Sequence, residues 1–323
     1  MKTLALLVAL TPGLTSAQDF PQRFDSIFGT TVVEARPERV VSLGYVAHDD
    51  LLALGVIPVA LRYWYGPYPG GVWPWAQAAL GEARPEVLRG EISFERIALL
   101  EPDLILAVSS GVSAQEYRML SRMAPTIASE PRFGDYNTPW DELALTVGRA
   151  VGQEPKAQAQ IDAIRARFAV IRADHPEWGD MTAVAATYSG GAPAVFLPGD
   201  TRADVLNNLG FKTPDALAQH AGESFYMELS AEDLTPLDAD VVLWIGGTAT
   251  AETVASMPLR PSMRAPREGR EVWADELMAG ALGHATLLSL PWVLDHIVPE
   301  IEAAADGDPA TPVPSALAAG LVR

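Results

Sequence analysis

The sequence predicts an α/β protein of two lobes, each built on a mainly parallel sheet, with one long α-helix bridging them. Three observations predict this fold. Short apolar segments alternate with helical segments, a stretch of the first half recurs in the second half, and a long helical stretch separates the two halves. With 323 residues, the chain is also longer than one compact core usually supports.

The composition is that of a globular protein, with 49% hydrophobic and 20% charged residues. The net charge of -18 argues against nucleic acids and anionic lipid surfaces as partners, because both require basic patches on the protein. We therefore expect no nucleic-acid partner.

The first residues have the layout of a secretory signal peptide. Lys2 supplies a positive charge, residues 4–10 form an apolar run too short to cross a bilayer, and Thr15-Ser16-Ala17 is a small-residue cleavage signal. A buried N-terminal helix is the alternative. We predict cleavage after Ala17.

The chain has no cysteine, so it has no disulfide and no N-terminal cysteine that could carry a lipid. Together with the signal peptide, this predicts a soluble periplasmic protein without a membrane anchor, and we expect it to be a monomer. Full secretion into the medium is the alternative.

The N-terminal lobe is expected over residues 18–137. Buried strands are predicted over residues 39–43 and 104–108 and from residues 56–60 onward, and helices over residues 49–55 and 94–100. This alternation is typical of a parallel sheet.

The linking helix is expected over residues 138–175. Thr138, Pro139 and Asp141 provide an N-cap, a proline at the first helical position and an acidic residue at the third. The alternatives are a bend near Gly152–Pro155 or an ordinary helical hairpin within one domain.

The C-terminal lobe is expected over residues 176–303, and its last helix could pack back toward the first lobe. Residues 304–323 are rich in Ala, Pro and Gly, which predicts a disordered tail.

The internal repeat joins residues 93–106 (SFERIALLEPDLIL) to residues 230–243 (SAEDLTPLDADVVL). A shorter echo joins LLALGV at 51–56 to LNNLGF at 206–211. Two lobes built on one plan are the simplest explanation. The identical pairs of the longer repeat are Ser93/Ser230, Glu95/Glu232, Leu100/Leu237, Asp103/Asp240 and Leu106/Leu243.

One arginine and six aromatic residues follow the predicted strand at residues 56–60, at the sheet edge where ligands of parallel sheets bind. They either line a binding site or fold over the first lobe as a separate core. The residues are Arg62, Tyr63, Trp64, Tyr65, Tyr68, Trp73 and Trp75. Weaker candidates for ligand contact are Arg132, Tyr136, Tyr188, Arg202 and Trp244.

The chain has five histidines, and none has the spacing or flanking acids of a bare-metal site. The sequence also lacks nucleophile, phosphate-loop and dinucleotide-binding motifs. We therefore predict no resident cofactor, no directly bound metal and no enzymatic activity. A secreted α/β hydrolase-like enzyme is the alternative.

The chain resembles periplasmic substrate-binding proteins that serve siderophore, heme and cobalamin importers. The resemblance rests on RVVSLGYVAHDDLLALGVIPVA, SFERIALLEPDLILA, the long helical stretch and SAEDLTPLDADVVLW, in that order. The segment RYWYGPYPGGVWPWAQAALG resembles the iron-siderophore branch in particular.

The resemblance implies two lobes bridged by one helix (the class III architecture) and a ferric siderophore held in the cleft for an inner-membrane ABC importer. A heme or cobalamin carrier is the alternative. The resemblance also implies that Glu95 and Glu232 dock onto arginines of the two permease subunits. A two-fold symmetric importer needs one matching acid on each lobe. Alternatively, both acids merely favour the first turns of their helices.

Overall fold

The computed structural model describes residues 20–321 except residues 223 and 248, so the predicted signal peptide lies outside the described residues. Within that part of the chain, the strands form one two-stranded hairpin and two five-stranded sheets. A 21-residue helix joins the two sheets. The predicted α/β class is confirmed.

The strands, in chain order, are β1 Gln22–Ser26, β2 Gly29–Val33, β3 Val40–Ser42, β4 Ala60–Arg62, β5 Glu86–Leu88, β6 Leu104–Ala107, β7 Thr126–Ala128, β8 Ala183–Ser189, β9 Ala192–Phe196, β10 Tyr226–Glu228, β11 Val241–Ile245 and β12 Glu271–Ala274. The predicted strand at residues 56–60 begins only at Ala60, so Arg62 is the last residue of β4 rather than a loop residue.

The helices, in chain order, are α1 Ala47–Ala53, α2 Pro74–Leu80, α3 Phe94–Leu99, α4 Ala114–Leu120, α5 Trp140–Ala150, α6 Glu154–Asp174, α7 Thr201–Leu209, α8 Asp215–Ala218, α9 Ala251–Ala255, α10 Arg264–Glu268, α11 Glu276–His284, α12 Ser289–Ala305 and α13 Pro314–Ala318. Short 3-10 turns lie at Pro69–Gly71, Pro176–Asp180, Thr235–Leu237 and Arg260–Ser262.

The two sheets have equivalent strand orders. The N-terminal sheet runs β5-β4-β3-β6-β7 and is parallel throughout. The C-terminal sheet runs β10-β9-β8-β11-β12, and β9 is antiparallel to both of its neighbours. The repeated segments end on β6 and β11, which occupy the same place in separate sheets. The repeat therefore lies across two lobes.

The repeated aspartates have the same structural role in each lobe. Asp103 accepts hydrogen bonds from the backbone N–H groups of Glu38 and Arg39, both at 2.8 Å, just before β3. Asp240 accepts from the N–H and the hydroxyl of Thr182, both at 2.8 Å, just before β8. Each aspartate thus fixes the start of its lobe's central strand.

The shorter echo marks equivalent helix ends. α1 and α7 are followed by Gly55 and Gly210, with φ values of 80° and 115° that favour glycine. After each glycine, a backbone N–H bonds back to the helix, from Val56 to Leu51 O at 2.8 Å and from Phe211 to Leu206 O at 3.2 Å.

The predicted linking helix at residues 138–175 is divided into two helices. α5 and α6 pack together as an antiparallel hairpin joined by an ion pair between Asp141 and Arg165, and Gly152 with φ 69° lies in the break. Of these two helices, α6, which is about 31 Å long, bonds to both lobes.

The two ends of α6 cap one helix in each lobe. Lys156 Nζ donates to Leu54 O of the N-terminal lobe at 2.9 Å, and Arg172 Nη1 donates to Asn208 O of the C-terminal lobe at 2.5 Å. Carbonyl groups at helix ends lack intrahelical donors, so both contacts satisfy backbone acceptors.

The prediction of a disordered tail is wrong. Residues 304–321 contain the end of α12 and all of α13, and Val313, Ala316 and Leu321 are buried. The Ser315 hydroxyl accepts from the Trp273 N–H of β12 at 3.1 Å. Composition could not reveal this segment's fold, because its apolar partners lie elsewhere in the chain.

α12 contacts both α2 of the N-terminal lobe and β12 of the C-terminal lobe.

Among the described residues, no helix combines the length and the apolar character needed to cross a membrane.

Candidate ligand cleft

A cavity of about 200 Å³ lies between the two lobes. Its lining is aromatic on the N-terminal side and consists mainly of small residues on the C-terminal side. The lining residues are Tyr45, Val46, Trp64, Ser109, Tyr136, Thr138, Trp140, Leu143, Thr201, Gly283, His284 and Ala285.

The N-terminal wall is built at the carboxyl ends of parallel strands. Tyr45 and Ser109 follow β3 and β6, and Trp64 follows β4. The rings of Tyr45 and Trp64 lie 5.6 Å apart. This is the edge at which α/β sheets bind ligands, because chain reversals there leave side chains free to face a cleft.

Tyr136 forms the outer lip of the cleft. It is 63% exposed, and a Cβ on Gly111 would lie 2.1 Å from its hydroxyl oxygen, so the ring packs against this glycine. Partial desolvation and the neighbouring Asp135 raise the pKa of Tyr136, so its hydroxyl stays protonated at neutral pH and can donate a hydrogen bond.

The C-terminal wall comes from the start of α7 and the end of α11. The Thr201 hydroxyl donates to Leu282 O at 2.8 Å, which joins the two helices. Thr201, Gly283 and Ala285 are small, so His284 is the bulkiest side chain that the described part of this wall presents.

One arginine from each lobe flanks the cleft. Arg62 donates to Ser110 O at 2.7 Å, and its guanidinium lies 4.7 Å from the centre of the Tyr45 ring. Arg202 is paired with Asp200 at 2.8 Å, and a Cβ on Gly283 would lie 3.0 Å from Arg202 Nη2. Among the residues that the structure describes, none that lines the cavity is acidic.

A buried cluster behind the cleft joins the lobes. We call Asp49, Asp50, Trp75, His284 and Thr286 the inter-lobe cluster. Asp49 Oδ2 accepts from Trp75 Nε1 at 2.6 Å and from the Thr286 hydroxyl at 3.0 Å. Asp50 Oδ1 accepts from the N–H of Leu287 at 3.0 Å. The N-terminal lobe thus supplies the acceptors, and the segment after α11 supplies two of the donors.

His284 lies among four rings of residues 62–75, the segment that we call the aromatic loop. Its ring centroid is 5.1 to 5.9 Å from those of Trp64, Tyr65, Trp73 and Trp75. Its Nδ1 lies 2.8 Å from Gly280 O, so Nδ1 carries the proton, because a carbonyl can only accept. Desolvation lowers the pKa of His284 to about 4, so the ring is neutral at pH 7.

Burial also shifts the neighbouring groups. It lowers the pKa of His48 and raises the pKa of Asp50 well above its usual value. Desolvation disfavours the charged form of each, and the nearby Asp49 further raises the pKa of Asp50.

The aromatic loop serves both roles that its sequence allowed. Trp64 lines the cleft, whereas Trp73 and Trp75 pack against the second lobe. The prediction that Trp73 contacts a ligand is wrong, because Trp73 is 1% exposed and lies against Gly280. The prediction for Trp244 is also wrong, because it is fully buried and donates to Glu271 Oε1 at 2.7 Å.

Of the other predicted ligand contacts, Tyr136 lies on the lining, and Arg62, Tyr65 and Arg202 lie beside it. Burial raises the pKa of Tyr65 to about 12.

The remaining four predicted residues lie outside the lining. Tyr63 bonds to Gly66 O and stacks on Arg89. Tyr68 packs on Trp73. Arg132 is exposed and paired with two glutamates, and Tyr188 packs on the second lobe's core.

Sequence reasoning missed Tyr45, Ser109, Trp140 and the Gly283–Ala285 segment. Tyr45 and Ser109 directly follow predicted strands, so the strand-end rule could have found them. Residues 283–285 carry no comparable signal.

The two repeated glutamates are both exposed, and neither has an ion-pair partner among the residues that the structure describes. Glu95 lies in the first turn of α3, which Ser93 caps. Glu232 lies in a turn before a 3-10 segment, where the N–H of Glu232 donates to Ser230 Oγ at 3.2 Å. A helix dipole therefore cannot explain Glu232.

No group of three or more His, Asp or Glu side chains that could hold a metal ion occurs among residues 20–321, as far as the structure describes them.

Residues 40–275 match the sequence pattern of the family described as "Periplasmic binding protein". The chain belongs to this family. The family is one of substrate-binding transport proteins, which agrees with a ligand cleft between two lobes.

Similar proteins align with most of this chain. The ferric enterobactin-binding periplasmic protein FepB of Escherichia coli is 26% identical over 292 residues, covering 84% of this chain and 89% of FepB. The periplasmic solute binding protein of Mycobacterium smegmatis has a TM-score of 0.79 and 32% identity, covering 88% of this chain and 98% of the other. PiaA of Streptococcus pneumoniae in complex with ferrichrome has a TM-score of 0.74 and 25% identity, covering 88% and 99%.

Proposed function

We propose that this protein captures a ferric siderophore in the inter-lobe cleft and delivers it to an inner-membrane ABC importer. The observation that carries the proposal is the cleft itself, which has aromatic side chains on one wall and an arginine of each lobe beside it. Two similar proteins support the ligand class: FepB is described as ferric enterobactin-binding, and the structure of PiaA is a complex with ferrichrome.

The chemistry of the cleft suits a chelate whose iron already has its oxygen ligands. Such a ligand needs aromatic surface, hydrogen-bond donors and positive charge, but no metal ligand from the protein. Because none of the described lining residues is acidic, an anionic chelate is not repelled by a negative charge on the lining. A binding protein without a catalytic role accounts for these features.

The cavity is smaller than the ~300–1,000 Å³ of typical ligand pockets. A siderophore would therefore extend out of the cleft past Tyr136, which lines the cavity and is largely exposed.

The proposal is tested by titrating the protein with ferrichrome, ferric enterobactin and ferric dicitrate while tryptophan fluorescence is recorded. Trp64 and Trp140 line the cleft, so a bound ferric chelate should quench the emission strongly. The variant Trp64→Phe should lose part of that quenching. Silence with all three chelates would reject the siderophore proposal.

Arg62→Ala and Arg202→Ala should each weaken an anionic chelate by ~1–3 kcal/mol if the arginine makes a charge-assisted contact. Arg118→Ala is the control, since Arg118 lies on α4 outside the lining. Unchanged affinity would remove the tested arginine from the site.

Heme and cobalamin belong in the same titration, because Tyr45 and Tyr136 line the cleft and tyrosine can be an axial heme ligand. A new visible absorbance band with heme, without any response to ferric chelates, would favour the heme alternative.

We further propose that the protein is an exported periplasmic monomer whose signal peptide is cleaved after Ala17, and that Glu95 and Glu232 dock onto the permease dimer. Sequencing of the mature N-terminus, with Gln18 expected first, tests the cleavage site.

A further inference from the structure

We propose that the inter-lobe cluster sets the width of the cleft, and that Asp49 is the positioning residue that holds the two walls in register. This inference rests on the proposed function only in taking the cleft as the ligand site. It concerns Asp49, Asp50, Trp75 and Thr286, which lie behind the lining; of the cluster, His284 also lines the cavity.

The argument begins with chain positions. Tyr45 and Val46 line the cleft, and Asp49 and Asp50 follow them within one helical turn. On the opposite wall, residues 283–285 line the cleft, and Thr286 and Leu287 follow directly. The segments that form the two walls are therefore the same segments that bond to each other behind it.

The bonds between these segments are fully buried. Asp49, Thr286 and Ser289 are each 0% exposed. The Thr286 hydroxyl donates to Asp49 and accepts from the N–H of Ser289 at 3.1 Å, and the Ser289 hydroxyl accepts from the N–H of Thr286 at 2.9 Å. This reciprocal pair fixes the direction in which Thr286 presents its hydroxyl.

Asp49 also binds the aromatic loop. Its Oδ2 accepts from Trp75, whose ring stacks on Trp73 at 5.0 Å, and Trp73 lies against Gly280 of α11. A Cβ on Gly280 would be 2.5 Å from the Trp73 ring. One carboxylate therefore holds the loop that carries Trp64 and the segment that carries Gly283–Ala285.

The cluster resists small displacements because its acceptors, Asp49 and Asp50, are both 0% exposed. No arginine or lysine contacts Asp49 within the described part of the chain, and the nearest base is His48, with Nε2 3.6 Å from Asp49 Oδ1. The other titratable groups facing the cluster are Asp50, His284 and, more distantly, Arg202. Sliding one lobe past the other would remove the Thr286 hydroxyl from Asp49 and the Leu287 N–H from Asp50 while both side chains stay buried, which is costly.

The test measures the distance between the lobes directly. The chain has no cysteine, so Ser121→Cys and Ser256→Cys, both exposed and on different lobes, provide two specific spin-label sites. Pulsed electron-spin distance measurement on the unliganded protein should give a narrow distribution. Adding Thr286→Val, which removes the hydroxyl at nearly constant volume, should broaden or shift it.

Two matched variants serve as controls. Thr286→Ser keeps the hydroxyl and should restore the parent distribution. Thr187→Val removes a buried hydroxyl that has no hydrogen-bond partner among the described residues, and should leave the distribution unchanged. If Thr286→Val does not fold, Trp75→Phe removes the other donor to Asp49 while keeping an aromatic ring, and the same broadening is expected.

Affinity for ferrichrome, ferric enterobactin or ferric dicitrate, whichever the parent protein binds, should fall at least threefold in Thr286→Val and stay within twofold of the parent in Thr286→Ser. An unchanged distance distribution in folded Thr286→Val and Trp75→Phe would overturn the proposal and leave the cluster a purely stabilising feature. If the parent binds no chelate, the siderophore proposal fails, but the distances still judge the role of the cluster.

Discussion

The N-terminal and C-terminal lobes share backbone devices but differ on the surfaces they present. Both have the same strand order, an aspartate that fixes the start of the central strand, and a glycine-ended helix capped by one end of α6. Their cleft walls differ, since one is aromatic and the other is formed mainly by small residues.

This difference separates two kinds of requirement. A shared fold needs the same hydrogen bonds at the same backbone positions, so the residues that make those bonds recur. A ligand with no internal symmetry makes no such demand, so the walls can diverge. The repeated glutamates are informative here, because Glu95 lies in a helix and Glu232 in a turn, yet both are exposed.

The largest expected effect concerns these two glutamates. The double variant Glu95→Ala/Glu232→Ala should lower importer-dependent uptake by more than tenfold while ligand affinity stays intact, because docking loses one charge contact on each lobe. Each single variant should have a smaller effect. The control is Glu82→Ala/Glu252→Ala, which removes one exposed acid from each lobe. Equal uptake in the two double variants, or lost affinity, would refute the docking role.

The second prediction compares the buried histidines, His48 from the N-terminal lobe and His284 from the C-terminal lobe. Both have pKa values lowered by burial, so the unfolded chain binds more protons below pH 6.5 and the free energy of unfolding falls as the pH drops. For His284, with a pKa of about 4, the loss between pH 6.5 and pH 4 is on the order of 3 kcal/mol. Urea unfolding at pH 7, 5.5 and 4.5 measures it.

Asp50 acts in the opposite direction. Its raised pKa stabilises the folded state at low pH, and that contribution is lost as the pH rises through its folded-state pKa.

His284→Asn, which keeps a nitrogen near the Gly280 carbonyl, should reduce the fall in the free energy of unfolding at acidic pH. If the pH dependence of this variant matches the parent, His284 is not its source.

The third prediction compares the repeated aspartates. Asp240→Ala should lower the free energy of unfolding by about 2 kcal/mol, because Asp240 is half-buried, binds Thr182 twice and also pairs with Arg264. Asp103→Ala should cost about 1 kcal/mol, because Asp103 is exposed and water can replace it. Chemical denaturation measures both. Asp→Asn at either site keeps one acceptor oxygen and should recover part of the loss, and a reversed order would contradict the comparison.

The smallest effects are expected at the two ends of α6. Lys156→Met and Arg172→Met should each cost about 1 kcal/mol or less, because both side chains are exposed. Hydrogen exchange separates them by lobe. Exchange should accelerate at the end of α1 in the first variant and at the end of α7 in the second, and acceleration at both ends in either variant would argue against independent caps.

The fold was largely predictable, because its determinants are local. Apolar runs at residues 39–43 and 104–108 became β3 and β6, and the helix predicted from residue 94 is α3. The division between α5 and α6 was only one of the alternatives, since a glycine and a proline near residues 152–155 permit either a bend or a break.

The candidate site was less predictable. Trp64 and Tyr136 reached the cleft wall, but the neighbouring Trp73 turned inward. The sequence does not distinguish Trp64 from Trp73, because these two residues lie in the same Gly- and Pro-rich loop. The decisive feature is Gly280, which is over 200 residues away and leaves room for the Trp73 ring.

By itself, the sequence determined the alternation of strands and helices, the repeat that makes two lobes, and the paired glutamates, since each depends on residues close together in the chain or on direct comparison of two segments. Only the tertiary structure decided which aromatic residues face the cleft and where the tail packs. It also decided that Asp49 bonds to Thr286, which is 237 residues away in the chain. Those outcomes depend on which distant surfaces meet, and burial of a side chain is a property of the contact rather than of the residue.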